Sequence, residues 1–590
     1  MREATSYYRY NSVDDFINNA QPAGFGITYG YGGNDAPGVE LSFGLGALYM
    51  QDEWRVNDNF KLTAGLRAEL PFYLNKLDNN PAISAYAFKD GWVDGATQLH
   101  DYKMDVGTWP KAKIQISPRL GFNWDVKGDR SLQVRGGTGL FTGLLPFVWF
   151  TNQPNGSGMI QSPEISISSA ADLAKIRFNP DYKAQIAAHP DLFPQTPGVL
   201  PRNSSVAQVD KNFKMPQVWR TNIAADIALP YNMILTLEAL YSKDINAVMQ
   251  RNVNMPLPDK TITGADNRPY WSTNRVIGDL STAMILSNTN KGYQTSLTAQ
   301  LTKNFSNGLS GMVAYTYNLA KDVTTNPGST AASAWQANTV VSYLNNPELS
   351  YTSFAMPHRL VGSVSYRLNY AKNFATTFSL FYSGSHQGRS TYAYTNDMNG
   401  DGFASDLMYI PKSKDEVQFI DALDASDNTK VIMTAAQQAD AFWGYVENTP
   451  YLNKNKGKYA ERFGDLEPWI NRFDVKILQD IFTNFGIDRR YTLQVSLDII
   501  NVGNLLNSTW GVYKTHGLGN YDRIRPLTQA NGYRLSGGKW VPKNGLQPDG
   551  RSTYVLNASS IDDFNKKAQW NNSLSTGSTW GMLLGFKFIF

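Results

Sequence analysis

The residues whose types and spacing most clearly suggest chemistry form the stretch DMNGDGFASD, Asp397 to Asp406. Oxygen-bearing side chains alternate along it, and Gly402 permits the sharp turn that folds such oxygens around Ca²⁺. The twelfth position of a calcium loop usually holds a bidentate Glu; here it holds Met408, so Asp406 is expected to substitute. An ordinary polar turn is the alternative interpretation. The predicted ligands are the side chains of Asp397, Asn399, Asp401 and Asp406 and the carbonyl of Phe403.

Other kinds of site chemistry find no support in the sequence. There is no cysteine, which excludes disulfides, thiolate metal sites and cysteine nucleophiles. The five histidines are scattered without an H-E-x-x-H pair, and no G-x-S-x-G nucleophile elbow is present. The glycine-rich stretches 24–33 and 136–143 lack the spacing of a nucleotide-binding loop. The sequence therefore predicts that the protein is not an enzyme.

Composition narrows the class of protein further. The net charge of +4 comes without a clustered basic stripe, so no binding to nucleic acid is expected. Aromatic residues make up 13% of the chain although its mean hydropathy is only −0.37. No apolar run is long enough for a membrane-spanning helix. Because β-branched and aromatic residues are plentiful throughout, the chain is expected to be ordered and rich in strands.

Period-two alternation predicts strands with two different faces. In KLTAGLRAEL (61–70), every second residue from Leu62 to Leu70 is apolar, whereas Arg67 and Glu69 lie on the opposite face. About thirteen strands are expected on this pattern, as six hairpins and a final strand. The predicted ranges are 39–54 with 58–73, 116–126 with 130–142, 214–229 with 232–248, 291–305 with 308–321, 356–370 with 373–388, 469–484 with 489–503, and a last strand within 578–590.

The connections between these strands point to one architecture. Short turns containing Asn, Asp, Gly or Pro join the members of each pair. Long polar segments separate the pairs: 74–115, 143–213, 249–290, 322–355, 389–468 and 504–577. Short periplasmic turns and long extracellular loops are typical of an all-β, transmembrane antiparallel β-barrel with an apolar outer face and a polar lumen. A soluble β-sandwich or propeller is the alternative, which the absence of a fixed repeat period disfavours.

Two groups of polar and aromatic residues have open interpretations. Charged residues on the polar face could contact a plug or a substrate, or they could hydrate the lumen and pair across strands. We favour the second interpretation. These residues are Arg67, Glu69, Arg135, Arg220, Asp226, Glu238, Arg367 and Asp498. Four loop aromatics either stack on a sugar or peptide ligand or pack the loops: Tyr392, Tyr394, Trp443 and Tyr445.

Several strand motifs, taken in order, resemble those of the TonB-dependent outer-membrane transporters, and more narrowly the Oar-like members found in Bacteroidetes. LYMQDEWRVNDNFKLTAGLRAELP (48–71) is similar to the family's hairpin of a Gln-Asp-Glu-Trp strand and a Gly-Leu-Arg strand. ISPRLGFNWDVKGDRSLQVRGGTGLF (116–141) is similar to its Ser-Pro-Arg and Arg-Gly-Gly strands. PHRLVGSVSYRLNY (357–370), NGDGFASDLMYIP (399–411) and LDIINVGNLLN (497–507) also match in type and order.

The chain also departs from the family pattern. A full member carries a TonB box, a plug domain and a barrel of about 22 strands. The resemblance therefore implies that this chain is the C-terminal part of the barrel. Residues 1–38 are expected to form an extracellular loop entering the barrel and residues 39–590 the C-terminal barrel portion, with the plug and earlier strands in the missing part of the same protein or in a companion chain.

The resemblance implies active uptake of an unidentified ligand across the bacterial outer membrane. In that family, TonB pulls on the plug and opens a path through the lumen, and no covalent chemistry occurs in the barrel. The expected partners are outer-membrane lipid, TonB through the plug, a surface lipoprotein lid, and the barrel-assembly machinery through the terminal Phe590. The alternative function is a structural or interaction barrel component of a surface or secretion complex.

Overall fold

One large sheet dominates the computed structural model, which describes residues 5–35, 37–88, 93–94, 97–98, 102–162, 165–200, 202–485, 489–520 and 522–590. The sheet has 16 strands, and thirteen of them follow one another as neighbours in chain order. Every neighbouring pair on this path is antiparallel. The strands of the path are β1 (Phe43–Arg55), β2 (Phe60–Tyr73), β3 (Gln115–Asp125), β4 (Leu132–Thr142), β5 (Gln217–Leu229), β6 (Met233–Asn252), β7 (Tyr293–Asn304), β8 (Leu309–Asp322), β9 (His358–Tyr370), β10 (Phe374–His386), β11 (Trp469–Phe485), β12 (Arg489–Ile500) and β13 (Gly581–Ile589).

This path confirms the predicted all-β, antiparallel fold class and the predicted succession of hairpins. The turn between β3 and β4 shows how short connections form. The side chain of Asp125 accepts hydrogen bonds from the backbone N–H groups of Gly128 and Arg130, each at 3.0 Å. Gly128 has a φ of 80°, a conformation that glycine adopts without strain.

Side chains divide the path into an apolar face and a polar face. Large apolar residues on the first face are exposed: Leu48 by 80%, Leu297 by 48% and Phe586 by 70%. They continue from strand to strand, because Ile223 pairs with Ala239 and Ala239 pairs with Leu297 in register. An exposed apolar surface of this extent is what the predicted contact with lipid requires.

The polar face carries ion pairs between its charged side chains. Arg135 Nη1 lies 3.0 Å from Asp226 Oδ2, and Arg67 Nη2 lies 2.8 Å from Glu69 Oε1. Two further pairs, Arg367 with Asp480 and Lys476 with Asp498, each have a separation of 2.8 Å. These contacts favour the interpretation that the charged residues of this face pair with one another.

The long segments between hairpins contain helices and short strands. The helices are α1 (Val13–Ile17), α2 (Pro81–Ala85), α3 (Phe147–Asn155), α4 (Ala170–Leu173), α5 (Tyr182–Ala188), α6 (Ala331–Gln336), α7 (Ala435–Asn448), α8 (Pro450–Lys454), α9 (Val502–Leu506) and α10 (Ile561–Lys567), with 3₁₀ turns at Tyr31–Gly33 and Lys414–Glu416. A further 3₁₀ turn, Pro230–Asn232, forms the short connection between β5 and β6. The short strands are Thr5–Arg9, Gly24–Thr28, Val93–Asp94, Thr97–Gln98, Ile165–Ile167, Ser204–Val209, Lys260–Thr261, Pro269–Tyr270, Leu280–Thr289, Ser350–Tyr351, Arg389–Tyr392, Tyr409–Ile410, Ala422–Leu423, Val431–Met433, Lys458–Tyr459, Asp465–Leu466, Lys514–His516, Gly519–Asn520, Arg523–Ile524, Leu527–Gln529, Tyr533–Ser536, Lys539–Pro542, Tyr554–Leu556 and Trp570–Asn572. Among the described residues, none of these helices combines the length and apolar composition needed to cross a bilayer.

The buried apolar core lies mainly in these long segments. Its largest cluster joins the segments 389–468 and 504–577 and includes Tyr392, Met408 and Phe442. The helix α7 begins with a capping box, in which Thr434 and Gln437 each bond to the other's backbone, and it buries Phe442 and Val446 in this cluster. We refer to the packed long segments as the loop assembly.

The segment predicted as residues 1–38 joins the loop assembly. Thr5–Arg9 pairs with Gly24–Thr28, which in turn pairs with Ile165–Ile167. Residues 1–4 and 36 lie outside the described residues. The extracellular position predicted for this segment stays a prediction.

The first and last strands of the path each have one neighbour. Within the described residues, β1 pairs only with β2, and β13 pairs only with β12. The outer edge of each of these two strands is therefore a row of backbone groups that no strand in the described part of the chain pairs with.

We expect charge on the apolar face to destabilise the protein, and we expect the polar face to tolerate it. Replacing Leu297 with Arg should lower the free energy of unfolding in lipid vesicles by about 2–4 kcal/mol, because a guanidinium placed against hydrocarbon loses its hydration. Ser296→Arg is the matched control on the polar face and should cost less than about 1 kcal/mol. Equal losses in the two variants would contradict the assignment of the faces.

Candidate functional site

The predicted calcium loop is the tip of a small hairpin in the loop assembly. The strand Arg389–Tyr392 leads into it, and Ala393 and Leu407 form a bridge that closes it. The backbone N–H of Tyr394 donates to the carbonyl of Asp406 at 3.0 Å. The structure thus brings Asp397, Asn399, Asp401, Phe403 and Asp406 together in one closed turn.

Within this turn the side-chain oxygens organise the backbone. The two carboxylate oxygens of Asp397 accept hydrogen bonds from the N–H groups of Gly400, at 2.7 Å, and Gly402, at 2.8 Å. Asp401 accepts one from Phe403 at 2.8 Å. Gly400 has a φ of 80°, and a Cβ atom there would lie 2.4 Å from the carbonyl oxygen of Trp271, so only glycine fits.

Asp401 and Asp406 are buried and Asp397 is half-buried, which affects the protonation of all three carboxylates. Burial raises the pKa of Asp397. Burial also raises the pKa of Asp401, and the nearby Asp406 raises it further. For Asp406, burial raises the pKa to about 7 although Arg268 acts in the opposite direction. Several negative charges concentrated in a dry turn are costly, and a cation or a proton relieves that cost.

The geometry does not complete a metal cage. Among the described residues, no group of three or more histidine, aspartate or glutamate side chains is arranged to hold a metal ion. The side chains of Asp397, Asp401 and Asp406 accept backbone N–H groups instead. Calcium binding at this turn therefore stays a prediction.

A buried arginine anchors the turn to the rest of the loop assembly. Arg268 makes a bidentate pair with Asp266, at 2.8 and 3.0 Å, and its Nη1 lies 3.4 Å from Asp406 Oδ1. Burial alone would lower the pKa of Arg268, but Asp266, Tyr394 and Asp406 together raise it above its usual value. The hydroxyls of Tyr394 and Tyr459 each donate to Asp266 at 3.0 Å. Both carboxylates therefore have a compensating positive charge within the core.

No pattern in the sequence points to this arginine. Arg268 and Asp406 lie 138 positions apart in the chain, and no sequence motif contains both of them. Only the folding of the segment 249–290 against the segment 389–468 brings them together.

The four loop aromatics pack against protein. Tyr392 and Tyr394 are each 1% exposed, and Tyr445 is also buried. Trp443 lies at the edge of the same cluster, with Lys456 Nζ 4.5 Å from its ring centroid. Their positions favour the interpretation that they stabilise the loops.

Replacing the buried arginine should destabilise this part of the loop assembly, so that it unfolds at a lower denaturant concentration. Arg268→Met leaves Asp266 and Asp406 buried without a counter-charge, so we expect a loss of about 3–5 kcal/mol in the free energy of unfolding. Hydrogen exchange of the amides in 389–410 should accelerate in parallel. The control, Arg551→Met, breaks the exposed pair with Asp549 and should leave the free energy of unfolding nearly unchanged, because solvent screens that pair. Similar losses in the two variants would argue against a stabilising role for the buried pair.

Comparison with known proteins gives one family match over most of the chain and several distant structural similarities. The family model described as "Outer membrane beta barrel domain" matches residues 4–508. No curated protein sequence matches the chain significantly. Similar solved structures include the outer membrane transporter YddB from Escherichia coli, with 10% identity, a TM-score of 0.37 and coverage of 90% of this chain and 58% of that one.

Two further structures are similar to a comparable degree. The FrpB iron transporter from Neisseria meningitidis (F5-1 variant) has 10% identity, a TM-score of 0.34 and coverage of 79% of this chain and 42% of that one. The ferric enterobactin receptor PfeA from Pseudomonas aeruginosa (a double mutant) has 8% identity, a TM-score of 0.35 and coverage of 81% and 44%. The alignments span less than two thirds of each of these proteins.

The family match extends over most of the chain and agrees with the antiparallel path and its exposed apolar face. This protein belongs to the family of outer membrane β-barrel domains and resides in the bacterial outer membrane.

Proposed function

We propose that this chain forms part of the barrel wall of a TonB-dependent transporter of the Oar-like, Bacteroidetes type. Ligand binds on the extracellular side, where the loop assembly lies. A plug inside the barrel transmits the pull of TonB and opens the lumen. The chain itself supplies the lipid-facing surface, the polar lumen wall and the extracellular loops, and it carries out no covalent chemistry.

The observation that carries the proposal is that the quoted family motifs coincide with paired elements of the structure. The motif 48–71 lies in the hairpin β1–β2, and the motif 116–141 lies in β3–β4. LDIINVGNLLN (497–507) spans the end of β12 and the helix α9. At their junction, Asn501 adopts a φ of 53° and donates its backbone N–H to Asp474 at 2.7 Å, so the motif has a structural role.

The unpaired edges of the path support the presence of further barrel strands. Inside a bilayer, each unsatisfied backbone N–H or C=O costs several kcal/mol, about the strength of the hydrogen bond it lacks. The outer edges of β1 and β13 therefore require pairing partners. We propose that strands of the same protein or of a companion chain close the barrel around a plug.

Native mass spectrometry of the complex extracted from outer membranes tests this proposal. We expect a species heavier than the 65.7 kDa of this chain, containing a plug-bearing polypeptide. A cross-linker placed on that plug should capture TonB in cells. A complex that lacks any plug and never cross-links to TonB would contradict the transporter and favour a scaffold in a surface or secretion complex.

We also propose that the turn at Asp397 binds Ca²⁺ and that the ion stiffens the loop. Support comes from the alternation of Asp397, Asn399 and Asp401, from the sharp turn that Gly400 and Gly402 permit, and from the burial of Asp401 and Asp406. Burial, together with repulsion from Asp406 and Asp397, raises the pKa of Asp401, and a divalent cation would offset that repulsion.

Calorimetry with CaCl₂ on the complete complex tests the calcium site. The variants Asp397→Ala and Asp401→Ala should lose the binding heat because each removes a predicted ligand. Asp427→Ala, a change at an exposed aspartate of another loop turn, should leave the heat unchanged. Unchanged binding in all three variants would remove this site.

A further inference from the structure

The helix α9 and the turn that follows it expose large apolar side chains at the end of the sheet where the long segments emerge. Leu506 is 75% exposed and Trp510 is 57% exposed, and Leu505 is exposed as well. Apolar side chains that gather on a surface mark contacts with another protein or with a membrane. We refer to Leu505, Leu506 and Trp510 as the rim patch.

The sequence around the rim patch carries no charge. No Asp, Glu, Lys or Arg occurs between Asp498 and Lys514, although segments that face water usually carry such side chains. The polar residues inside the patch, Asn507, Ser508 and Thr509, are neutral and exposed. A tryptophan among apolar and neutral polar side chains is typical of the boundary between the hydrocarbon and the headgroups of a membrane.

Hydrogen bonds hold α9 in line with the wall of strands. The last pair between β11 and β12 is Val475 with Ile499, so the start of β11 has no residue of β12 beside it. The helix α9 packs against β11 there. On the other side, the backbone N–H of Trp580, just before β13, donates to Asn504 Oδ1 at 3.1 Å. The helix therefore lies above the end of β12, between β11 and β13.

The rim patch continues the apolar face of the sheet. Phe586 lies on that face, and alternation along β13 places Met582 and the preceding Trp580 on the same side. Both of these side chains are exposed. Because Trp580 is bonded to α9, the patch begins where the lipid-facing surface of the strands ends.

Polar groups around α9 already have partners within the chain. The side-chain Nδ2 of Asn504 donates to the carbonyls of Ser508, at 3.0 Å, and Trp510, at 3.1 Å. The N–H of Asn507 donates to the carbonyl of Gly503, and the N–H of Trp510 donates to the carbonyl of Asn507. Paired groups can approach hydrocarbon without the cost of an unsatisfied donor or acceptor.

We propose that the rim patch inserts among the lipids at the loop end of the barrel and so anchors the segment 504–577 to the membrane surface. Lipid is its partner because the patch is continuous with the lipid-facing surface. The further strands proposed above would pair with the outer edge of β13, and α9 lies toward its opposite edge. The inference goes beyond the proposed function, since it depends on neither plug, TonB nor transported ligand.

Site-directed spin labelling of the complete complex in phosphatidylcholine–phosphatidylglycerol vesicles tests the anchor. This chain has no cysteine, so the unsubstituted complex supplies the background. A nitroxide is attached at Leu506→Cys and, separately, at Trp510→Cys; both positions are exposed, so the core stays intact. We expect both labels to collide more often with O₂, which dissolves in lipid, than with the water-soluble complex Ni-EDDA.

Two control variants calibrate the ratio of these collision rates. Phe586→Cys, on the apolar face of β13, should give the value for lipid. Leu535→Cys, exposed on a hairpin of the loop assembly, should give the value for water. The labels at Leu506 and Trp510 should match the first control.

Two results would overturn the inference. If the labels at Leu506 and Trp510 match Leu535→Cys, the rim patch faces water. If neither O₂ nor Ni-EDDA reaches them, protein covers the patch instead of lipid. Both results leave the proposed transporter intact, because its own test depends on the plug and on TonB.

Discussion

The requirement that every backbone N–H and C=O group find a partner inside the membrane governs this protein. Hydrocarbon offers none, so spanning strands must bond to one another along their whole length. The thirteen-strand antiparallel path meets this requirement strand by strand, and the register between neighbours places apolar side chains in continuous rows. The same requirement supports the proposal that further strands pair with the outer edges of β1 and β13, which lack a neighbour among the described residues.

Because the apolar face of the strands contacts lipid, it does not form the protein's buried hydrophobic core. The path directs its large apolar residues outward, and its polar face carries ion pairs such as Arg135 with Asp226. The buried clusters are consequently built mainly from the long segments, where Tyr392, Met408 and Phe442 pack together. The loop assembly therefore behaves as a folded unit with its own core, which is the kind of support that a binding site on loops needs.

The strands could be predicted closely because their signal is local. The predicted range 58–73 is observed as Phe60–Tyr73, and 469–484 is observed as Trp469–Phe485. Alternation with a period of two reports directly which residues face lipid. The long segments carry no such period, so their helices and short strands, including α7, were not foreseen. Their structure depends on contacts between segments that are distant in sequence.

The candidate site divides in the same way. The sequence by itself determined the strand order, the two faces and the tight turn of DMNGDGFASD, because backbone geometry and side-chain alternation act over a few residues. Only the tertiary structure decided that Arg268 neutralises Asp266 and Asp406, and that Asn504 accepts a hydrogen bond from Trp580. Burial and charge compensation depend on which segments meet in space, and no local pattern encodes that meeting.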